Sequence, residues 1–181
     1  MSSAKELVSD DVTFFRTKHA FQSYAEFHSL AEFKELLQDA ASSNKRVYIL
    51  GNGSNTLFLH RQVEASVLKN CMPPRIDDLG DDMFRVTSGT LVRDVLKYAY
   101  KRNRSSFYYL ASVPATIGGA LAMNAGRGRE HLSSIFDFVD TVTFFDSHDG
   151  SIKKLRSEEI VLGYRSTIFT GIQSHLILHA E

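Results

Sequence analysis

A chain of 181 residues is long enough for one good core or for two small subdomains. Lysine plus arginine and aspartate plus glutamate both number 21, so the formal net charge is zero. This does not indicate a basic surface for nucleic acid and leaves room for a local patch around Arg127 and Arg129. A single cysteine, Cys71, rules out an intrachain disulfide and fits a reducing compartment. The opening MSSAKELVSDD lacks the apolar stretch of a secretory signal, and no segment reaches the ~20 apolar residues that cross a bilayer. The expectation is a cytoplasmic protein without a membrane partner.

In chain order, SLAEFKELLQDA (29–40) has helical spacing. Ser29 and Glu32 stand at capping-box distance, and Leu30, Phe33, Leu36, Leu37 and Ala40 share a face. RVYIL (46–50) reads as a buried strand. GNGSN follows at once, and TLFLH after it looks like another strand. Two glycines around a polar residue permit positive φ and close backbone approach, and Ser54 and Asn55 add donors, so the loop suits a pyrophosphate. It lacks the lysine of a Walker loop, and it lacks the third glycine and following helix of the dinucleotide fingerprint. A tight structural turn accounts for the same residues.

ASVLKN and MFRVTSG are further strand candidates. TLVRDVLKYAYK (90–101) returns to helical spacing, with Leu91, Val92, Val95, Leu96 and Ala99 as its stripe and Thr90 as its cap. SVPATIGGALAMNAG (112–126) is then uncharged and rich in small residues. Gly118, Gly119 and Gly126 cost conformational entropy unless the backbone must approach something, and Asn124 needs partners among apolar neighbours. A flat ligand against exposed backbone explains this; so does a helix packed closely on a sheet. DFVDTVTFFD and SIKKL flank SHDG as a hairpin with Asp149-Gly150 in the turn, and SHLILHA alternates as a last strand. Mixed strands and helices without repeats give an α+β or α/β class. Glu158 and Glu159 read as a solvated helix start. His175 and His179 would lie ~13 Å apart on a strand, too far to share a metal. Cys71 has no evident partner, so no metal site is expected.

Three segments in order carry a resemblance. Gly51–Asn55 matches a Gly-x-Gly-Ser-Asn loop after a strand, and Val113–Gly126 matches an Ile-Pro-Gly-Thr-Val-Gly-Gly-Ala segment ending in Asn-Ala-Gly. Tyr164, Arg165, Thr167 and Phe169 loosely match a Tyr-Arg pair followed by Ser and Phe. The early VTFFRTKHA also resembles an opening segment of the same family. The chain resembles, over nearly its whole length, the flavin-binding part of the UDP-N-acetylenolpyruvoylglucosamine reductase family of peptidoglycan biosynthesis.

The resemblance implies an α+β, two-subdomain FAD-binding fold of the vanillyl-alcohol-oxidase type, with subdomains at 1–70 and 71–181 and FAD extended between them. It implies that Gly51, Asn52, Gly53, Ser54, Asn55, Thr56 and Leu57 hold the pyrophosphate. Ser112, Val113, Pro114, Thr116, Gly118, Gly119, Asn124 and Gly126 would hold the ribityl chain, pyrophosphate and isoalloxazine. Tyr164 and Arg165 would line the substrate side, the arginine favouring charge on a substrate carboxylate; alternatively Arg165 pairs with Glu158 or Glu159. No histidine lies in 48–58 or 105–130, so the FAD is expected to be non-covalent, with NADPH as reductant.

The chain departs from the family at Ser112 and Ala115, where glycines are usual, and at Arg127-Gly128-Arg129, where Ala-Tyr-Gly is usual. It stops at Glu181, about where the family's C-terminal substrate domain would begin. The expectation is therefore a flavin domain without that domain, whose uncovered apolar face near Tyr164 and 112–126 self-associates or meets a protein partner. The alternative is a non-catalytic flavin- or nucleotide-binding module acting through a partner.

Overall fold

From His19 to Phe27 the side chains alternate: His19, Phe21, Ser23, Ala25 and Phe27 are all buried, whereas on the other face Tyr24 is buried, Ala20 half-buried, and Gln22 and Glu26 exposed. That is the signature of a strand that lays one full face on the core. In the computed structural model, which describes residues 3–127, 133–171 and 174–181, this strand lies inside a four-stranded sheet. The chain divides into two units, Met1–Met72 and Pro73–Glu181.

In the first unit, β1 (Lys5–Ser9) pairs antiparallel with β2 (His19–Phe27). The chain then forms α1 (Leu30–Ser42), β3 (Val47–Leu50) and β4 (Gln62–Asn70), and both β2 and β3 run parallel to β4. The sheet order is β1-β2-β4-β3. Helix α1 begins where the sequence places it: the Ser29 hydroxyl accepts the Glu32 N–H at 3.2 Å, and the Glu32 carboxylate accepts the N–H of His28 at 2.9 Å. Its inner face buries Phe33, Leu36 and Ala40, with the Phe33 ring 4.9 Å from that of Phe27. One polar pair sits inside the sheet, where the Ser23 and Ser66 hydroxyls bond each other at 2.9 Å.

TLFLH is not a strand. Because β3 and β4 are parallel, the chain leaving Leu50 must travel back before β4 can start, and this segment is part of that return. Its alternation is real: Phe58 turns in against Phe21 and Tyr48, at ring distances of 5.2 and 5.7 Å. Leu57 and Leu59 stay exposed, and among the described residues the segment pairs with no strand.

The second unit holds β5 (Ile76–Gly80), β6 (Met83–Thr87), α2 (Val92–Tyr100), α3 (Ile117–Ala122), β7 (Gly126–Arg127) and β8 (Ser133–Ser134). It continues through β9 (Thr141–Asp146), β10 (Ser151–Arg156), α4 (Ser157–Ile160), β11 (Val161–Gly163), β12 (Ser166–Thr167) and β13 (His175–Ala180). Its main sheet is antiparallel, in the order β10-β9-β13-β6-β5. The expected hairpin is β9–β10, with Gly150 at φ 73° in its turn. Every residue of β9 is buried. Val92, Leu96, Leu121, Phe136, Phe144, Ile160, Phe169 and Ile177 form the core of this unit.

Thr90 does not cap α2. Leu91 occupies that position without a side-chain cap, and the buried Thr90 hydroxyl pairs instead with that of Thr87 at 2.9 Å and accepts the Arg75 N–H at 3.1 Å. Burial beside the backbone of Arg75, just before β5, and the hydroxyl of Thr87 in β6 outweighs the local capping preference. Among the described residues no helix is long and apolar enough to cross a membrane.

Candidate functional site

In the first unit the GNGSN loop follows β3 directly. Gly53 adopts φ +69°, and a Cβ there would stand 2.7 Å from the Val12 carbonyl oxygen and 2.9 Å from the Thr13 Cα. The Gly53 carbonyl accepts the Phe14 N–H at 3.1 Å. The glycine is thus required twice, by its backbone angle and by the approach of Val12–Phe14. Sequence reasoning missed that partner segment, although VTFF had already been noted for its resemblance. The Thr56 hydroxyl pairs with that of Tyr48 at 3.2 Å, while Asn55 and Leu57 are exposed. Gly51, Asn52 and Ser54 are half-buried.

In the second unit, residues 112–116 leave a turn at Ser112 and lead to α3 through Thr116, whose backbone is extended. The Thr116 hydroxyl caps α3 by accepting the Gly119 N–H at 3.3 Å. The Ala115 carbonyl accepts the Val92 N–H at 3.0 Å. The N–H groups of Ile117 and Gly118 are spent on the carbonyls of Thr90 and Ser88, at 2.8 and 2.9 Å. A Cβ on Gly118 would lie 2.9 Å from the Ser88 Cβ, and one on Gly126 would lie 2.1 Å from the Ser133 oxygen. For these two glycines the close-packing explanation holds.

Gly119 is different. Among the described residues, its chain neighbours and the backbone of α3 aside, the one atom within 4 Å of its missing Cβ is the Thr116 hydroxyl, at 3.3 Å. Asn124 carries a second unexplained feature. It adopts φ 43°, is only 6% exposed, and donates from Nδ2 to the Gly163 carbonyl at 3.0 Å, but its Oδ1 is buried without a partner among the described residues. A buried acceptor left unpaired costs about 1–3 kcal/mol, so such an atom marks where a donor from a ligand would sit. A flavin fits: its ring carries an N–H and its ribityl chain carries hydroxyls.

The Tyr-Arg segment closes around this stretch. Arg165, at φ 56°, donates from its guanidinium to the carbonyl of Asn124 at 3.2 Å and to that of Gly126. It does not pair with Glu158 or Glu159: the Glu159 carboxylate accepts the Arg156 N–H, and Glu158 faces Ser157. The Thr167 and Thr170 hydroxyls donate to the Ala122 carbonyl at 3.0 and 2.9 Å, which satisfies the end of α3. Phe169 is buried on Phe144 at 5.1 Å. Tyr164 is 63% exposed, 5.4 Å from the Arg165 guanidinium carbon. Ser112 and Pro114 are exposed and Val113 is half-buried. Arg127 is exposed, whereas Arg129 of the expected basic patch lies outside the described residues. A cavity of about 450 Å³ in this unit, lined by Phe84, Val95 and Phe107, takes only Ile117 and Leu121 from the stretch.

A family of FAD-binding domains matches residues 21–156, most of the chain and both glycine segments. The chain belongs to the FAD-binding domain family. FAD is accordingly its cofactor, as the resemblance implied. Similar curated proteins are the UDP-N-acetylenolpyruvoylglucosamine reductases of Aquifex aeolicus and Francisella tularensis. They are 33% and 29% identical over 81% and 90% of this chain, which in turn covers 48% and 57% of them. The chain spans about half the length of the curated relatives it matches.

Among solved structures, UDP-N-acetylenolpyruvylglucosamine reductase from Thermus caldophilus superimposes with a TM-score of 0.78 at 24% identity, over 100% of this chain and 62% of that one. A solvent-stable cholesterol oxidase superimposes at 0.59 with 15% identity, over 99% of this chain and 37% of that one. These likenesses establish the α+β, vanillyl-alcohol-oxidase-type fold of the FAD-binding domain.

The two adjacent glycines of α3 are expected to separate packing from ligand contact. Gly118→Ala should cost about 1–3 kcal/mol by overpacking against Ser88. Gly119→Ala should leave stability within about 1 kcal/mol, because the gain in helix propensity offsets a small shift of Thr116, yet weaken FAD binding at least tenfold. Thermal melts and fluorescence titration of both variants measure this. Equal FAD affinity in wild type and Gly119→Ala would remove Gly119 from the site.

Proposed function

We propose that the chain binds FAD without a covalent bond and forms the flavin half of an NADPH-dependent reductase of the UDP-N-acetylenolpyruvoylglucosamine type, in the cytoplasm. The observation that carries this reading is the orphaned Oδ1 of Asn124 in the small-residue segment that contains Gly119. When bound, FAD supplies a carrier that accepts hydride from a nicotinamide and delivers it to an alkene.

The chain's own residues do the rest. In the first unit, Gly51, Asn52, Gly53, Ser54, Asn55, Thr56 and Leu57 bind the diphosphate, with Gly53 setting the turn. In the second, Ser112, Val113, Pro114, Thr116 and Gly119 lie along the ligand, and Asn124 accepts a hydrogen bond at Oδ1. Gly118 and Gly126 act indirectly, by letting Ser88 and Ser133 approach. Arg165 orients the Asn124 and Gly126 carbonyls. A guanidinium has five N–H donors, so those not engaged there remain for a substrate carboxylate. Tyr164 offers an exposed ring to the substrate.

A second reading, a non-catalytic flavin- or nucleotide-binding module acting through a protein partner or a second copy, is favoured by the exposed Leu162 and Tyr164, at 66% and 63%.

The test is direct. Purified protein should show a flavin spectrum, and acid precipitation should release all the colour into the supernatant. Protein that is colourless and fails to bind added FAD would defeat both readings. Anaerobic NADPH should then bleach the bound flavin; flavin that NADPH leaves oxidised would favour the module.

A further inference from the structure

We propose that Glu26, His28 and Cys71 form a binding site for a zinc-type divalent cation at one end of the sheet in the first unit. The oxygen, nitrogen and sulfur donors of these residues lie within 4.8 Å of one another.

The fold brings them together by register. Glu26, next to last in β2, and His28, the first residue after it, flank the fully buried Phe27, and both are exposed with their donor atoms brought together. Phe27 of β2 pairs with Asn70 of β4 in the parallel ladder, and the next residue, Cys71, donates its N–H to the Phe27 carbonyl at 2.8 Å. The cysteine is thus held by a backbone bond to Phe27, the residue between Glu26 and His28.

The donor set suits a borderline cation. One thiolate, one imidazole and one carboxylate make three zinc ligands and leave a fourth position for water. Zinc bonds of about 2.0–2.3 Å need donors about 3.5 Å apart, so the cluster must close by roughly 1 Å. Glu26 and His28 are exposed and can make that adjustment by rotation.

The surroundings support ligation. Glu32 Oε2 stands 3.6 Å from His28 Nδ1, so it can hold the ring while the other nitrogen binds metal. Glu26 Oε1 accepts the Tyr24 hydroxyl at 2.9 Å and faces Lys69 at 3.6 Å. It can keep both contacts and give Oε2 to the cation. Binding forms a Zn–S bond and breaks the S–H bond, with the proton passing to solvent.

The experiment uses the full chain, free of tags and with FAD present. Zinc chloride is titrated in, and the alkylation of Cys71 by iodoacetamide is followed. One zinc per chain should bind and slow alkylation at least tenfold. Cobalt(II) should give the thiolate-to-cobalt charge-transfer absorption. His28→Ala and Glu26→Gln, at exposed positions that do not carry the core, should fold as wild type by circular dichroism. They should lose at least tenfold in zinc affinity, together with the protection of Cys71. Absence of zinc protection, a cobalt spectrum without the thiolate band, or undiminished zinc binding in both variants would overturn the site.

Discussion

Gly126→Ala is expected to destabilise the second unit by about 3–4 kcal/mol and to lower its melting transition by on the order of 10 °C. The added Cβ would fall 2.1 Å from the Ser133 carbonyl oxygen, 3.1 Å from its carbon and 3.0 Å from the Ser134 Cα. All three are backbone or backbone-bound atoms, so no side-chain rotation relieves the clash. The β7–β8 pair, Gly126 with Ser134 and Arg127 with Ser133, would have to part. That movement reaches further, because the Ser134 carbonyl accepts the Tyr109 hydroxyl, the Ile135 N–H is bound by the Ala125 carbonyl, and the Gly126 carbonyl holds Arg165. Flavin binding should fall with stability. A variant that melts within about 2 °C of wild type and retains its flavin would show that this backbone contact is not needed.

The second large effect is expected at Arg165. Arg165→Ala removes two charge-assisted bonds, to the carbonyls of Asn124 and Gly126. Bonds to charged groups contribute about 1.5–3 kcal/mol each; these two lie within the protein, and with about one bond's worth passed on to the flavin site, FAD binding should weaken about 10–100-fold. The amide of Asn124 would be loosened at the same time, since its carbonyl is one of the two groups held. Arg165→Lys should not restore binding, because one ammonium on a flexible stem cannot bridge two carbonyls as a planar guanidinium does. Fluorescence titration of FAD measures the effect. A purely catalytic arginine would leave FAD affinity intact in both variants and lower turnover alone; that result would overturn the positioning role.

These two predictions rest on contacts between residues far apart in the chain, and they mark the limit of what could be read beforehand. Helix α1 was legible from its spacing, together with its Ser29 cap. So were β3, β4, α2 and the β9–β10 hairpin around Gly150. The two glycine segments also stood out, because glycine is costly unless the backbone needs it. In each case the signal is local: a period, a cap or a turn residue acts within a few positions.

What the tertiary structure decided is why each of those residues is there. TLFLH alternates like a strand, but parallel pairing of β3 and β4 makes it a connection. Thr90 looks like a cap, but burial beside Thr87 and Arg75 claims its hydroxyl. Gly118 and Gly126 were ambiguous between ligand and packing until Ser88 and Ser133 came against them. Arg165 was open between a substrate carboxylate and Glu158 or Glu159, and the fold sets its guanidinium on the carbonyls of Asn124 and Gly126, which no local pattern announced. Cys71 stood alone until the β2–β4 register set it beside Glu26 and His28. Periodicity and propensity specify the elements because their energies are local; pairing partners depend on strand order and register, which sum over the whole core and leave no mark at any one position.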